Sequence, residues 1–516
     1  MIRLNWLDFL LLLLVFAISL GVRFAFARGF DGLYGQDAYA YYNYAREFRQ
    51  AVDEHRSPEP FFWPLGYPVL LALSFALFGT VPLTAQALTL LLGALLSPLV
   101  YILARQLETQ PITALIAALL IAFCGQAVQS SIVVMSDIPA LFWATLSTVL
   151  LLHYLHTNRR RWLILSALLL ALASITRWLY LALIPVWGIV LLLSWRRIRW
   201  REILASGAAT ALVLVPQAAI SIHSPYPVLD HPWVAGWTLE NVVSHKFSNE
   251  DGQFDYAQIN ALFYAKPYYD PYYLAPLFAP FILFGIWSLR RKPALLALLL
   301  GWALLPYAFL VGIPYQNIRF PLILIPALAA LAGIGIKTLL SIITSRRMKI
   351  AFVGALAHAP FLLGNFILAL ILIPSLCWML SAAQPIINQF VNNQLRDKAA
   401  VQWALQHIPS SSRVYCYGLT EALSTYAPFE VHELYAETPQ TIAAQLADGK
   451  DSYFFSNIWV IENQWAGRPL QTTFHWLRDT PGLNYLDRIG NYILFKIGGA
   501  SDENRSPASG LQQSVR

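Results

Sequence analysis

Apolar residues in this 516-residue chain gather into long runs, separated by short basic clusters. A helix needs about twenty apolar residues to cross the hydrocarbon core of a bilayer. Runs of that kind stand at 6–26, 83–104, 112–130, 137–155, 162–176, 178–195, 203–222, 271–289, 294–312, 320–342 and 350–380. They predict about eleven transmembrane helices. Only Thr176 and Arg177 interrupt 162–195, which reads as a hairpin with that pair at its turn.

The basic residues give the runs an orientation. With Arg3 in the cytoplasm, the loops on that side carry Arg105; Arg159, Arg160 and Arg161; Arg196, Arg197, Arg199 and Arg201; Arg290, Arg291 and Lys292; and Arg346, Arg347 and Lys349. The short turns on the other side carry only Arg177 and Arg319. This is the positive-inside pattern, and one miscounted helix would break it. It predicts a multi-pass protein of the cell (inner or plasma) membrane, with a cytoplasmic N-terminus and an extracytoplasmic C-terminal domain. The basic start, apolar run and Ala25-Phe26-Ala27 have the look of a secretory signal. The run is too long for one, and Arg23 interrupts the cleavage region, so an uncleaved first helix is expected.

Three polar regions lie on the outer side. Loop 27–82 contains a short apolar stretch, Gly66 to Phe78, suited to a helix along the membrane surface. The second loop is 223–270. The third region has a helical pattern from Leu395 to Ile408, a strand-like Arg413 to Gly418, and a closing strand Tyr492 to Ile497. The fold class expected is therefore an all-α polytopic membrane protein with a small C-terminal α/β domain. Its parts are a transmembrane domain, 1–380, an extracytoplasmic domain, 381–497, and a disordered tail, 498–516, rich in Ser, Gly, Pro and Asn. No internal repeat of the kind many transporters carry is visible.

Composition agrees. Hydrophobic residues make up 57% and charged ones 12%, about half the charged share of a soluble domain. The net charge of +7 comes in bursts between apolar runs, which is not a nucleic-acid-binding face. Cys124, Cys377 and Cys416 have neither metal-ligand spacing nor a disulfide framework. His223, His231 and His245 fit no compact ligand motif either. No metal or other cofactor is expected.

Charge at the outer membrane edge is where chemistry should be sought. Asp31 and Asp37 follow the first run, with Tyr34, Tyr39, Tyr41, Tyr42 and Tyr44 around them. A carboxylate in a partly dry site can act as a general base, and tyrosines can stack on a sugar. A solvated loop with an interfacial aromatic belt explains the same residues. The segment Phe61 to Pro68, including Trp63 and Tyr67, reads as a structural turn into the surface helix. Asp137, in Ser136-Asp137-Ile138-Pro139, is either a helix N-terminal charge or a substrate contact. Arg177 and Arg319 oppose the positive-inside trend, and a lipid phosphate would be a natural partner.

Together these segments resemble the GT-C glycosyltransferases, in the bacterial branch related to protein O-mannosyltransferases and the lipid A aminoarabinose transferase. Four motifs carry the likeness, in order: Tyr-Gly-Gln-Asp-Ala-Tyr around Asp37; Trp-Pro-Leu-Gly-Tyr-Pro from Trp63; Met-Ser-Asp-Ile-Pro from Met135; and Asn-Ile-Arg-Phe-Pro from Asn317. The resemblance covers about the first 380 residues. Many relatives have an Asp-Glu pair in the first loop, whereas Ala38 follows Asp37 here; the partner carboxylate is Asp31 or is missing. The resemblance implies a hexosyltransferase-type enzyme that moves a sugar from a polyprenyl-phosphate donor, in the bilayer, to an extracytoplasmic acceptor hydroxyl, with inversion. It implies Asp37 as base, Asp31 as its helper or as an acceptor contact, and Arg319 with Arg177 on the donor phosphate. Tyr34, Tyr39, Tyr67, Asp137 and Tyr315 complete the substrate-binding candidates. The competing expectation is a transporter or flippase for a lipid-linked substrate. It predicts charges near the bilayer midplane, and the runs are nearly charge-free inside. A receptor module on an inert anchor would not need eleven crossings.

Overall fold

A computed structural model describes residues 5–107, 109–223, 232–249, 252–343 and 360–498. The expected tail, the start of the last apolar run, and the cluster Arg346, Arg347 and Lys349 lie outside the described residues. The chain divides into two compact units. One is Met1–His245 with Tyr256–Val391; the other is Lys246–Asp255 with Asn392–Arg516.

The first unit is helical. Its helices are α1 (Trp6–Ala27), α2 (Gly35–Asp53), α3 (Gly66–Phe78), α4 (Pro82–Gln106), α5 (Pro111–Phe123), α6 (Gly125–Ile132), α7 (Asp137–Thr157), α8 (Arg160–Thr176), α9 (Ile184–Leu193), α10 (Trp200–His223), the short α11 (Pro232–Ala235) and α12 (Asn260–Tyr264), α13 (Ala279–Leu289), α14 (Pro293–Gly312), α15 (Ile325–Ile343) and the part of α16 (Pro360–His407) up to Val391. Each of the eleven apolar runs is mostly helical over its described residues, with breaks at Cys124, Ser194 and 271–275. Among the described residues, seven helices are long and apolar enough to cross a membrane, or eight if α5 and α6, bent by 55°, form one broken span. The expected crossings at 178–195 and 271–289 fold as shorter apolar helices, Trp178–Leu193 and Pro276–Leu289.

Sequence details explain the joints. Asn5 and Asp8 form a capping box at the start of α1. Asp8 also accepts from Tyr101 at 2.6 Å and from Arg105 at 2.7 Å, so one buried carboxylate ties the start of α1 to the end of α4. Arg23 is accommodated inside the bundle by hydrogen bonds to Ser19 and Ser131. Helices α13 and α15 meet at glycines. A Cβ on Gly285 would collide with the Leu331 carbonyl, and one on Gly335 with the Phe281 carbonyl. Small residues let helix backbones approach closely where lipid leaves no hydrophobic force to join them.

The segment 27–82 is more ordered than a loop. It holds the expected α3 and, before it, α2. Ala38, Tyr39, Tyr41, Tyr42 and Ala45 form the buried face of α2, which packs on α3.

The second unit is an α/β layer. Its sheet runs β4 (Glu430–Glu433), β3 (Arg413–Cys416), β5 (Ser452–Ser456), β7 (Tyr492–Ile497) and β6 (Leu483–Ile489), parallel among the first three and antiparallel beyond. Tyr415, Phe454, Trp465, Phe474 and Leu477 form its core. The hairpin of β1 (Lys246–Asn249) and β2 (Gly252–Asp255) joins this unit, with the Gln253 amide donating to the Gln464 carbonyl at 2.9 Å.

Candidate active site

Two helix N-termini bring carboxylates to one place. Asp37 lies in the first turn of α2, and Asp137 is the first residue of α7. A negative charge is favoured there by the helix dipole. Two arginines meet them, from the end of α8 and from the turn before α15. Arg319 Nη2 donates to Asp37 Oδ2 at 2.8 Å, and its Nη1 stands 3.7 Å from Asp137 Oδ2. Arg177 Nη1 reaches the same Asp137 oxygen at 3.3 Å and donates to Ser136 Oγ at 3.2 Å. Asp137 therefore holds both guanidinium groups.

Local structure sets these positions. Asn317 Oδ1 accepts from the backbone and Nε of Arg319, fixing the turn from which Arg319 projects. Arg319 also contacts the Met135 sulfur, and Arg177 lies over the Phe320 ring, 5.2 Å from its centre. Gly66 explains the Trp-Pro-Leu-Gly-Tyr-Pro motif. A Cβ there would stand 2.7 Å from the Ile175 carbonyl oxygen, so glycine lets α3 close against the turn that presents Arg177. Burial opposes the charge on Arg319, yet Asp37 and Asp137 hold its guanidinium above its ordinary value.

Beside the four charges opens a cavity of about 340 Å³. Asp37, Tyr41, Arg177 and Arg319 line one part, while Trp63, Trp178, Leu181, Phe309, Leu310 and Ile313 line the rest. The Asp37 side chain is 32% exposed and that of Asp137 only 4%. Asp37 can therefore meet a ligand, whereas Asp137 sits behind the arginines.

Of the residues singled out from sequence, Asp37, Asp137, Arg177 and Arg319 come together. Asp31, Tyr34, Tyr39, Tyr67 and Tyr315 are outside the cavity lining. Asp31 accepts the Leu33 amide in a local turn. Tyr34 packs edge-on against Phe390, and Tyr39 lies on the buried face of α2. Tyr67 packs under Tyr41 and bonds Thr89 at 2.8 Å. The Tyr315 carbonyl accepts from Tyr264 at 2.7 Å.

Tyr41, another of the tyrosines around Asp37, is in the lining. It hydrogen-bonds Ser136 at 3.1 Å. Burial raises its phenol above the ordinary value, so it stays protonated. The signal was its spacing: residues four apart share a helix face, but only once 35–53 is recognised as helical.

Residues 67–222 match the family described as dolichyl-phosphate-mannose-protein mannosyltransferase. The chain is 31% identical over 280 residues to the undecaprenyl phosphate-alpha-4-amino-4-deoxy-L-arabinose arabinosyl transferase of Pseudomonas aeruginosa. That match covers 51% of this chain and 47% of the other, so the chain spans about half the length of the curated relatives it matches. The fold is similar to that of ArnT from Cupriavidus metallidurans bound to undecaprenyl phosphate, with a TM-score of 0.60, 16% identity, and coverage of 96% of this chain and 99% of that one. It is also similar to the oligosaccharyltransferase AglB from Archaeoglobus fulgidus in complex with an inhibitory peptide and a dolichol-phosphate, with a TM-score of 0.60, 14% identity, and coverage of 98% and 75%. Over part of its length the chain is thus similar to the dolichyl-phosphate-mannose-protein mannosyltransferase family and to an undecaprenyl-phosphate aminoarabinose transferase.

Proposed function

We propose that this chain is a membrane glycosyltransferase that moves a sugar from a polyprenyl-phosphate donor to a hydroxyl on an extracytoplasmic acceptor. The observation that carries the proposal is one cavity with two arginines and a reachable carboxylate on one side and aromatic and aliphatic walls on the other. A lipid phosphate needs both kinds of surface. The two lipid-phosphate complexes among the structures of similar fold point the same way. The excess of arginine on the opposite loops assigns the site to the extracytoplasmic face.

Each residue has a task. The donor is a phosphodiester with a single negative charge. On entry its phosphate takes Arg319 and Arg177 as partners, since guanidinium binds phosphate in a fork. Arg319 is then drawn from Asp37, and the freed carboxylate becomes the base. Asp37 takes the acceptor's hydroxyl proton while the acceptor oxygen bonds to the anomeric carbon. The bond from that carbon to the phosphate oxygen breaks, and its electron pair leaves with polyprenyl phosphate. The arginines stabilise the charge that grows on the leaving oxygen. Attack opposite the phosphate inverts the anomeric centre. Asp137 orients the arginines without touching substrate. Asp31, the alternative helper, takes no step, because it is outside the cavity lining.

The sugar is left to measurement, because the names of the relatives include both mannose and an aminoarabinose. Purified protein in nanodiscs would be given a panel of radiolabelled polyprenyl-phosphate sugars, with envelope extract as acceptor. Polyprenyl phosphate release is expected from one donor class and is expected to vanish in Asp37→Asn. Release that survives Asp37→Asn would remove Asp37 as base. No release from any donor, with a folded protein and a complete extract, would count against a transferase.

A further inference from the structure

The α7–α8 hairpin that presents Asp137 and Arg177 has a second end. Tyr154 lies 17 residues beyond Asp137 on α7, about 26 Å away at 1.5 Å per residue. That is close to the thickness of a bilayer's hydrocarbon core, so the far end of the hairpin stands at the opposite membrane face. A separate cavity of about 450 Å³ opens there, lined by Tyr154, His156, Asn158, Arg196, Ile198 and Arg199, among others.

Its charge is one-sided. The flanking segments 156–161 and 195–202 carry seven arginines and one carboxylate, Glu202. Glu202 is turned inward, accepting from the Tyr154 hydroxyl at 2.7 Å and from the Arg199 amide at 3.3 Å. Among the described residues, no salt bridge reaches Arg159, Arg160, Arg161, Arg196, Arg199 or Arg201. Helix α10 begins beside the cavity at Trp200 and α7 ends there at Thr157, so their dipoles oppose each other and the positive field comes from the arginines.

The surroundings say what anion fits. Trp195 and Trp200 are 66% and 65% exposed, and each has a neighbouring arginine over its ring, at 5.8 and 5.5 Å. Exposed tryptophans of this kind anchor at the headgroup level of a bilayer. A basic pocket between membrane helices with such a rim is suited to a lipid headgroup phosphate.

We propose that this cavity binds the phosphate of an anionic phospholipid from the leaflet opposite the catalytic site, with Arg196 and Arg199 as its principal contacts. The bound lipid braces the α7–α8 hairpin and the start of α10 from below. The site is independent of the transferase mechanism, so either proposal can fail without the other.

The test is binding by the purified full-length protein in a neutral detergent, read as the rise in melting temperature on titration. The probes are phosphatidylglycerol, phosphatidylcholine and inorganic phosphate. Phosphatidylglycerol is expected to stabilise wild type, and the other two are not. Arg196→Gln with Arg199→Gln is expected to weaken phosphatidylglycerol binding on the order of thirtyfold, and Arg199→Gln alone about fivefold should the pair fail to fold. Arg290→Gln with Arg291→Gln removes the same charge from the turn between α13 and α14, outside the cavity, and is expected to bind as wild type does. Equal losses in the two pairs would reduce the site to general surface charge and overturn the proposal. So would stabilisation by phosphatidylcholine, or by inorganic phosphate with the same dependence on Arg196 and Arg199, which would make the ligand a soluble anion.

Discussion

Asp37 is ion-paired to Arg319 at 2.8 Å, so the proposed base and the group that lowers its basicity are one contact. In the proposed mechanism, donor phosphate replaces that contact before a proton moves. Arg319→Ala is expected to weaken donor binding by about 1.5–3 kcal/mol, the range for hydrogen bonds to charged groups, measured by titration with polyprenyl phosphate. Unchanged affinity would sink the phosphate assignment. Asp137→Asn acts differently, because Asp137 touches both arginines and is almost fully covered. It is expected to lower kcat by about tenfold or more while donor affinity is kept or tightened, since misplaced catalytic charge costs rate more than binding. Equal losses in affinity and rate would make Asp137 a substrate contact instead.

At the scale of elements, the site depends on close helix approaches that glycine permits. Gly66 lets α3 reach the turn before Arg177, and Gly285 with Gly335 lets α13 meet α15. Gly335→Leu would drive a side chain into the Phe281 carbonyl, and overpacking of this kind typically costs about 1–3 kcal/mol. A fall in melting temperature in detergent, with donor binding reduced in proportion to the unfolded fraction, is expected. An unaltered melting temperature would mean that α13 and α15 do not pack through these glycines. Of the eleven expected crossings, 162–176, 178–195 and 271–289 are not among the seven or eight helices of sufficient length in the described residues; the first folds as the 17-residue α8, and the other two fall short for a local reason. Prolines at 276 and 280, and the 3-10 turn Trp178–Leu183, shorten regular helix inside apolar runs.

Across the whole molecule, two units have different chemistry, and the C-terminal one carries a pH signature. Glu430 accepts from Lys450 at 2.5 Å, from Arg413 at 2.8 Å and from His432 at 2.9 Å. Those partners, Lys450 foremost, pull its carboxyl down from 4.5 to about 2. A lowered carboxylate contributes stability above its unfolded value of 4.5 and loses it as pH falls toward 2. The side chain is 40% exposed, so solvent screening limits the effect to under about 1 kcal/mol. Hydrogen exchange at the β3 and β4 amides, corrected for intrinsic rates, should show protection falling between pH 4.5 and 2. Glu430→Gln should flatten that fall, and an identical slope in the variant would exclude Glu430 as its source.

Much of the chain's character follows from its sequence, because hydropathy and charge are local. Apolar runs identify the membrane helices, and Asp37, Asp137, Arg177 and Arg319 stand out as charges at run ends. The strand at Tyr492–Ile497 is legible from its own composition. What linear order cannot carry is contact. Asp37 and Arg319 are 282 positions apart, and only helix packing puts them 2.8 Å from each other. Packing also put Tyr41, and not Tyr34 or Tyr39, in the cavity lining, because which part of the buried face of α2 meets the cavity is set by its neighbours. It drew Lys246–Asp255 into the C-terminal unit through backbone bonds to Gln464, and backbone groups are the same in every sequence. Sequence by itself determined which charged residues end the apolar runs; tertiary structure decided which of them meet, because meeting is a matter of distance in space.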